Sequence, residues 1–533
     1  MPNHPKWILI TLILISVAFF VILLIPNAKA SENIAMVSMF EPDEGIMVPV
    51  IQKMIAPKES LKHFIYYFAA YEYYYYGFPF FALSAIPAFF IQWANQLGNI
   101  PLVMTSFRQL ISVLPTLFAL LLLVYMHDRF KTYRSIVLYV FLLTIPAVVR
   151  NGFWWHPDGV VLLLSVLVLY LLYRDNHKLG SRFLAAAFVC GILTATKIVG
   201  VYFFLAVGLA VIWSLVNQEV TWKKAVIKSL LFILIMGATF IVANPFLLLE
   251  GHRTLYINTF QKQTLLLSEG YGILYNKGLK AAWPVMQLYY GEAFFLLATL
   301  GISIWNITKK RNPFLHSLTI AWFLPLTISI LTYSHFKFQY WLPAAIPLFA
   351  SWATIFPRRS VNLKPLTINR VLKIILLLIF MIQFVLFGLQ SSQMLIKRTQ
   401  RESNNPEIAF YDLAMQQLEP IGSDPVYAYY DYRLYMPPKA NWVTETSFDL
   451  LDYDFIRGRN YDVLLLLQQR ILDYLHPSAV GVDPDAFARA QAFYQDANEG
   501  SIDDYVLLFR NETALLFVRH DFCLRYFEAS ICQ

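Results

Sequence analysis

The feature that most constrains this chain is a series of long apolar segments separated by short polar stretches. They run over residues 7–25, 102–126, 135–149, 159–173, 183–196, 200–216, 229–248, 286–306, 314–333, 340–356 and 371–390. A helix needs about 20 mostly apolar residues to cross a bilayer, and several of these segments reach that length. Only 14% of the 533 residues are charged, against about 25% in a soluble domain. The sequence therefore predicts a polytopic α-helical membrane protein with about eleven spans.

The distribution of basic residues predicts the orientation. The net charge of +8 comes from short basic runs between apolar segments, such as Lys309-Lys310-Arg311. Such runs are expected in the cytoplasmic loops of a membrane protein. We therefore attribute the charge to membrane topology and expect no nucleic-acid partner. All of these runs can be cytoplasmic only if residues 183–216 form two short helices that turn near Lys197. Residues 77–98 must then lie in the interface or form a re-entrant piece instead of crossing. We expect a multi-pass plasma membrane protein with a cytoplasmic N-terminus and an extracytoplasmic C-terminal domain.

The C-terminal region differs in composition from the rest of the chain. Residues 1–390 hold the predicted spans, whereas residues 391–533 are rich in charged residues and contain strand-like runs between helical stretches. This pattern predicts a small soluble α/β domain. Cys523 and Cys532 lie at its end and could form a disulfide if this end faces an oxidising compartment.

Three carboxylates crowd into the loop that follows the first apolar segment. They are Glu41, Asp43 and Glu44, within four residues of one another. Carboxylates this close repel one another, which raises the pKa of one member and suits a general base that takes a proton from a hydroxyl. A solvated acidic turn is the alternative. The residues by themselves leave open which of the three is the base.

A further acidic group lies in the turn His156-Pro157-Asp158-Gly159, where the chain re-enters the membrane. Asp158 could face Asp43 across one cleft, and the two carboxylates could share a divalent cation. The structural alternative is an interfacial turn with an aromatic belt made by the preceding Trp154-Trp155. No set of His and Cys residues has the spacing of a zinc site, so the metal requirement stays open.

Cationic side chains are predicted on the same face as these carboxylates. Lys197 lies between apolar helices, where an unpaired charge costs several kcal/mol and therefore indicates function, although snorkelling at a hairpin tip also accounts for it. Four more basic side chains lie near the outer interface, namely Arg108, Arg150, His335 and Lys337. Their positive charges could hold a lipid phosphate.

The order and spacing of these motifs resemble those of GT-C fold glycosyltransferases that use polyprenyl-phosphate-linked sugars. The resemblance is to the protein O-mannosyltransferase and aminoarabinose transferase branch, glycosyltransferase family 39 and its relatives. The matching positions are Asp43-Glu44, Arg108, Pro157-Asp158-Gly159, Gly191 to Lys197, Asn244-Pro245-Phe246, Lys337, Tyr340, Leu342-Pro343 and Pro347. One departure is Tyr76-Gly77-Phe78-Pro79, where aminoarabinose transferases carry Lys-Pro-Pro, which argues against a lipid A acceptor.

The resemblance implies an inverting transfer of a sugar from a polyprenyl phosphate to an acceptor hydroxyl on a protein, lipid or glycan. It implies Asp43 as the general base, and we expect Glu44 and Asp158 to be catalytic as well. The expected substrate-binding residues are Arg108, His156, Lys197, His335, Lys337 and Tyr340. Beyond the divalent cation left open above, no cofactor is expected.

Two alternatives come from other functional classes. A transporter of a lipid-linked or small anionic substrate predicts symmetry between halves and ionisable residues near mid-membrane. The sequence has no convincing internal repeat, and its conspicuous charges gather at one face. A receptor whose tail binds a ligand would leave the clustered carboxylates and cations unexplained.

Overall fold

The structure is a computed structural model that describes residues 6–269, 273–274, 277–356, 368–400, 405–448, 450–477, 479–481 and 483–532. Residues 6–400 are mostly helical. The helices of this membrane part are Lys6–Lys29, Ile34–Phe40, Pro42–Ile55, Leu61–Ala69, Phe78–Trp93, Ile100–Phe107, Leu114–Asp128, Arg134–Leu143, Pro146–Asn151, Asp158–Arg174, Ser181–Thr196, Phe204–Val216, Trp222–Val242, Glu250–Glu269, Leu279–Tyr290, Ala293–Thr308, Pro313–Leu331, Leu342–Phe349 and Ile368–Gln400.

Each predicted apolar segment is largely helical, which confirms a multi-pass helical membrane protein. Among the described residues, the helices long and apolar enough to cross a membrane are Lys6–Lys29, Ile100–Asp128, Ile198–Val216, Trp222–Val242, Pro313–Leu331 and Val371–Thr399. Leu279–Tyr290 and Ala293–Thr308 meet at 82° and could form one further broken span. The other apolar helices are shorter, so the number of eleven spans stays a prediction.

The apolar stretch 183–216 is broken at Lys197, as predicted. The helix Ser181–Thr196 ends there because Lys197 has an extended backbone (φ −155°, ψ 134°), and a short 3-10 turn then leads into Phe204–Val216. The segment 77–98 forms the helix Phe78–Trp93, whose 16 residues span about 24 Å. That length is below the thickness of about 30 Å of a hydrocarbon core, and its interfacial position stays a prediction.

The helix Phe78–Trp93 begins in very close contact with the end of Ser181–Thr196. The Gly77 N–H donates to the Thr196 carbonyl over 3.1 Å. A Cβ atom on Gly77 would lie 1.5 Å from the Ala195 carbonyl oxygen, so only glycine allows this approach. The contact brings the tyrosine-rich loop before Gly77 next to Lys197.

The C-terminal domain is built on a five-stranded mixed sheet. The strands of the chain are β1 (Ile273–Leu274), β2 (Val426–Tyr430), β3 (Trp442–Glu445), β4 (Val463–Leu467), β5 (Val480–Gly481), β6 (Tyr505–Arg510) and β7 (Ala514–Arg519). The order in the sheet is β3-β2-β4-β7-β6, in which β3, β2 and β4 are parallel and β7 is antiparallel to both its neighbours. The helices of this domain are Pro406–Gln417, Tyr453–Arg459, Gln468–Leu475, Pro484–Glu499 and His520–Tyr526.

Both faces of this sheet are covered by helices. Along β4, Leu464 packs in one core with the helix Pro484–Glu499, whereas Leu465 packs in the other with Pro406–Gln417. This follows from the alternation of side chains along a strand. A Cys523–Cys532 disulfide closes the end of the chain. The predicted polytopic fold with a C-terminal α/β domain is confirmed, although the boundary at 390 stays a prediction because the helix Ile368–Gln400 runs through it.

Two contacts hold the C-terminal domain against the membrane part. Strand β1 lies in the loop after the helix Glu250–Glu269 and pairs antiparallel with β5. Ile273 of β1 is buried in the core of the C-terminal domain. On the other side, Asn33 donates to the Tyr435 hydroxyl over 3.2 Å. The sheet is thereby fixed at the same end of the bundle as the acidic loop.

Gly77→Ala tests the close contact between the two helices. The added methyl group meets backbone that cannot move aside, so we expect a loss of about 1–3 kcal/mol in stability, the usual cost of overpacking. The melting temperature of the purified protein in detergent measures this loss. Gly208→Ala is the matched control, because a Cβ atom there has open space around it. Equal melting temperatures for the two variants would contradict the contact.

Candidate active site

A cavity of about 2190 Å³ lies between the membrane part and the C-terminal sheet. It collects the loops that the sequence analysis singled out and several segments of the C-terminal domain. Its wall includes Phe448, Leu450 and residues from 41–46, 73–77, 150–158, 194–199, 333–343, 431–433 and 467–476. Motifs that are far apart in the sequence therefore share one cavity.

The acidic loop is shaped by a break between two helices. Ile34–Phe40 ends at Glu41, whose backbone is not helical (φ −141°, ψ 81°), and Pro42 starts the next helix. Proline suits the first position of a helix because no hydrogen bond needs its missing N–H. Asp43 and Glu44 fall in the first turn, where the helix dipole favours negative charge. Successive residues on a helix point in different directions, so the two carboxylates separate.

Glu44 points into the protein, where it pairs with Arg108. Both side chains are fully buried, and Arg108 binds both carboxylate oxygens, over 3.0 Å from Nε and 2.5 Å from Nη2. Arg108 also donates to the Asn27 carbonyl over 2.8 Å, and the Trp155 N–H donates to Glu44. Neither Glu44 nor Arg108 lines the cavity as the structure describes it. Each satisfies the other's charge, so this geometry departs from the predicted catalytic and substrate-binding roles.

Glu41 is held by arginines from two distant segments. Arg150 binds both of its oxygens, over 2.6 and 2.9 Å, and Arg398 binds one of them over 2.8 Å. Burial raises the pKa of Glu41, but the charges of Arg150 and Arg398 outweigh burial and bring the pKa to about 2. Glu41 is therefore ionised, and it ties the acidic loop to the end of the last long helix.

Asp43 is left as the carboxylate that faces the cavity. It is half-buried, and within the described part of the chain its carboxylate makes no hydrogen bond or ion pair. It is close enough for its charge to act on His156 and on Lys337 across the cavity. Of the three candidates that the sequence left open, Asp43 alone combines a place in the cavity wall with an unpaired carboxylate.

Asp158 forms a second charged group on the cavity wall. Its carboxylate accepts a hydrogen bond from Lys197 Nζ over 2.7 Å and contacts His156 Nδ1 on its other oxygen. The other ring nitrogen of His156 bonds to the Tyr76 hydroxyl over 2.7 Å. Gly159 lets this turn approach its neighbour, because a Cβ atom there would lie 2.5 Å from the Ser112 carbonyl oxygen. Lys197 is thus half-buried and paired, and its functional role stays a prediction.

His156 is neutral at neutral pH. Burial lowers its pKa, and the attraction of Asp158 offsets only part of this effect. The ring also stacks on Trp154, with centroids 4.0 Å apart and planes nearly parallel. Trp154 therefore packs inside the protein and is buried, which differs from the interfacial belt that its sequence context suggested.

The loop before Tyr340 closes the opposite side of the cavity. Lys197 Nζ lies 6.0 Å from the Tyr340 ring centroid, and the Tyr340 hydroxyl bonds to His335 Nε2 over 2.9 Å. Burial lowers the pKa of His335 to about 4, and the positive charge of Lys337 adds to the effect. His335 is therefore neutral at neutral pH. The sequence predicts two cations in this loop, His335 and Lys337, and of these only Lys337 is positively charged.

Part of the tyrosine-rich loop, residues 66–76, lies in the protein interior. A run of aromatic rings beside apolar helices is typical of an interfacial belt, but Tyr71 and Tyr74 are buried against Phe246 and one another. Tyr76 lines the cavity next to His156. No sequence signal separates these tyrosines from the interfacial ones, since both kinds are aromatic rings beside apolar helices.

A divalent cation shared by Asp43 and Asp158 does not fit this arrangement. Both oxygens of Asp158 already contact cationic or hydrogen-bonding side chains, namely Lys197 and His156. In the described ranges, no group of three or more His, Cys, Asp or Glu residues is placed to hold a metal ion. We derive no step through a metal.

The C-terminal domain adds residues that the sequence analysis missed. Asp431, at the end of β2, is buried and accepts a hydrogen bond from Arg470 over 2.7 Å. Tyr432 and Arg433 follow it in the cavity wall. No local motif marks these positions, because they reach the cavity only through the topology of the sheet.

Arg108→Met tests the buried pair that positions the acidic loop. It leaves the Glu44 carboxylate buried without its counter-charge, so we expect a loss of about 3–5 kcal/mol in stability, the usual cost of breaking such a pair. Asp43→Asn should leave the melting temperature unchanged, because no ion pair is lost. Arg311→Met, at an exposed arginine, is the matched control. A larger loss for Asp43→Asn than for Arg108→Met would contradict this assignment.

The pKa of His335 predicts how stability responds to acid. An unfolded imidazole has a pKa of about 6.5 and the folded one about 4, so the unfolded state binds more protons between these values. The contribution of His335 is thus complete above pH 6.5 and is lost as the pH falls toward 4. We expect His335→Gln to flatten the fall of melting temperature in this range. A parallel fall in both proteins would contradict the low pKa.

Comparisons with known proteins identify the fold. No family model matches the sequence, and no curated protein matches it significantly. Among solved structures, the crystal structure of ArnT from Cupriavidus metallidurans bound to undecaprenyl phosphate superposes with a TM-score of 0.54. The match covers 97% of this chain and 98% of that chain, at 12% sequence identity. At this identity the likeness concerns the fold, and the chain has the GT-C-like fold that the sequence motifs predicted.

Proposed function

We propose that this chain is a membrane glycosyltransferase that moves a sugar from a polyprenyl-phosphate donor to an acceptor hydroxyl. The observation that carries the proposal is Asp43, a carboxylate on the cavity wall that makes no ion pair with any described residue and lies between two glutamates bound by arginines. Lys197 and Lys337 line the same cavity. The similarity in fold to a protein solved with undecaprenyl phosphate supports a polyprenyl phosphate as the lipid.

The reaction assigned to this geometry is a single displacement. Asp43 takes the proton of the acceptor hydroxyl, and that oxygen bonds to the anomeric carbon of the donor sugar. The bond between this carbon and the phosphate oxygen breaks at the same time. The polyprenyl phosphate leaves with the electron pair, and the anomeric configuration inverts. Glu41 does not compete for the proton, because Arg150 and Arg398 bring its pKa to about 2. Glu44 is buried against Arg108 and does not line the cavity as the structure describes it.

The lysines of the cavity serve the leaving group. Negative charge grows on the phosphate as the bond breaks, and preorganised cations stabilise it. Lys337 and Lys197 are the side chains assigned to this task, and Tyr340 lies next to Lys197. Asp158 and His156 act as positioning residues in this scheme. Asp158 binds Lys197 and His156 contacts Asp158, so both orient the lysine and neither is assigned to the acceptor.

We place the reaction on the extracytoplasmic side of the plasma membrane. The basic runs between spans support this orientation through the positive-inside rule. The Cys523–Cys532 disulfide supports it as well, because disulfides persist in oxidising compartments. The donor would then reach Asp43 from the lipid, and the acceptor would reach it from outside.

Asp43→Asn tests the assigned base. An amide cannot take the proton, so we expect turnover to fall about 10²–10⁴-fold, the usual contribution of general base catalysis. The assay follows release of free polyprenyl phosphate from a panel of polyprenyl-phosphate sugars, with purified protein in lipid nanodiscs and cell-envelope extract as acceptor. Glu32→Gln, at an exposed carboxylate on the same side, is the matched control. Unchanged turnover in Asp43→Asn would exclude it as the base.

A binding measurement on the same variants separates chemistry from donor recognition. Undecaprenyl phosphate should bind Asp43→Asn as it binds the wild type, whereas Lys337→Met should weaken binding about 10–100-fold, as expected for a lost charge-assisted hydrogen bond. Lys62→Met, at an exposed lysine, is the control. Binding without turnover of any donor, together with uptake by loaded vesicles, would favour the transporter.

A further inference from the structure

The C-terminal sheet presents its carboxyl edge to the cavity. Strands β2, β3 and β4 run parallel, so their carboxyl ends meet at one edge of the sheet. Residues that follow these ends line the cavity wall, from 431–433 and 467–476 and at Phe448 and Leu450. In open α/β sheets, ligands bind outside the carboxyl ends of the strands. This edge is therefore the part of the C-terminal domain best placed to hold a ligand.

The edge carries an aromatic pair that the packing of the domain leaves partly exposed. The rings of Tyr432 and Phe448 lie 4.5 Å apart, with an angle of 40° between their planes. Phe448 is 53% exposed although it belongs to the wall of a cavity. An open aromatic face in a concave site suits the apolar C–H face of a sugar ring. Sites for small ligands are lined mostly by apolar and aromatic side chains, and this pair is of that type.

Polar side chains with two hydrogen-bonding atoms line the cavity at the same edge. Gln469 and Asp473 line the cavity, are exposed, and are bonded to one another over 2.9 Å. Asp431 and Arg470 form the buried pair behind them. Planar amide, carboxylate and guanidinium groups can each bind two neighbouring hydroxyl groups, as they bind other two-atom partners. Aromatic faces beside such groups are the chemistry that recognises a saccharide.

The charges of the edge favour a neutral ligand. Its two carboxylates, Asp431 and Asp473, are matched by two guanidinium groups, Arg433 and Arg470. The excess positive charge of the cavity lies on the opposite wall, where three carboxylates, Glu41, Asp43 and Asp158, face six basic side chains, namely Arg150, Lys197, Lys262, Lys277, Lys280 and Lys337. A phosphate or an acidic peptide is therefore drawn away from the edge, toward the membrane part.

The size of the cavity leaves room for a second ligand. Pockets for one small ligand have volumes of about 300–1,000 Å³. This cavity, at about 2190 Å³, exceeds that range. Arg433 is near enough for its charge to act on Lys337, so the edge borders the cations assigned to the donor phosphate.

We propose that the carboxyl edge of the C-terminal sheet, built around Tyr432, Phe448 and Gln469, is a binding subsite for a neutral saccharide, which supplies the acceptor hydroxyl. The inference rests on the proposed function and narrows its acceptor to a glycan. The sugar ring stacks on Phe448 and Tyr432, and Gln469 and Asp473 bind its hydroxyl groups. A hydroxyl on the far side of the ring then faces Asp43 across the cavity.

Ligand-observed NMR tests this subsite without requiring turnover. The full chain in nanodiscs is mixed with methyl glycosides of glucose, mannose, galactose and N-acetylglucosamine, and saturation transfer to each is measured. At least one glycoside should receive saturation, and Phe448→Ala and Gln469→Ala should each weaken its binding at least tenfold. Leu524→Ala, at a side chain of similar exposure away from the cavity, should bind as the wild type does.

The same measurement separates the subsite from the chemistry. Asp43→Asn should bind the glycoside unchanged, because its carboxylate is assigned to proton transfer and not to ring stacking. Saturation of no glycoside, or equal binding in Phe448→Ala and the wild type, would overturn the proposal whatever the turnover. Competition by serine- and threonine-containing peptides, with no glycoside binding, would identify a peptide site instead. Loss of turnover in Asp43→Asn with glycoside binding intact supports both inferences.

Discussion

Three ion pairs made by two buried glutamates fix the acidic loop on which the rest of the site depends. Glu44 is bound by Arg108 from inside the bundle, and Glu41 is bound by Arg150 and Arg398. Burying any one of these charges without a partner costs several kcal/mol, so the loop has few alternative positions. Asp43 lies between the two glutamates in the cavity wall and makes no ion pair within the described ranges of the chain. The arginines of the site thus pair with the two glutamates beside Asp43, the assigned base.

The remaining cavity wall is assembled where helices are interrupted. The helix Ser181–Thr196 stops at Lys197, which turns the ammonium group toward Asp158. Gly77 allows the tyrosine-rich loop to lie against that same helix end. Breaks of this kind cost backbone hydrogen bonds inside a membrane and are tolerated only where they line a cavity or are buried in protein. These helix breaks lie at the same end of the bundle as the charged residues, so both features indicate the same site.

The C-terminal domain completes the cavity instead of standing apart from it. Pairing of β1 with β5 and burial of Ile273 in the domain core fix the sheet against the membrane part. This orientation turns the carboxyl edge of the sheet toward Lys337 and Asp43. The two walls differ in charge, because basic side chains outnumber carboxylates on the membrane wall and the sheet edge is neutral. That difference supports the proposed division between a phosphate-bearing donor and a neutral acceptor.

The sequence by itself determined the membrane class, the break at Lys197, the α/β tail and the convergence of Asp43, Asp158, Lys197 and Lys337 on one face. Apolar length, charge placement and side-chain periodicity are local properties, so a linear pattern contains them. Only the tertiary structure decided which charges pair. It buried Glu44 with Arg108, left Asp43 unpaired, made His335 neutral and brought Asp431 and Phe448 into the cavity. Pairing and desolvation depend on distances between segments hundreds of residues apart, and no local pattern contains them.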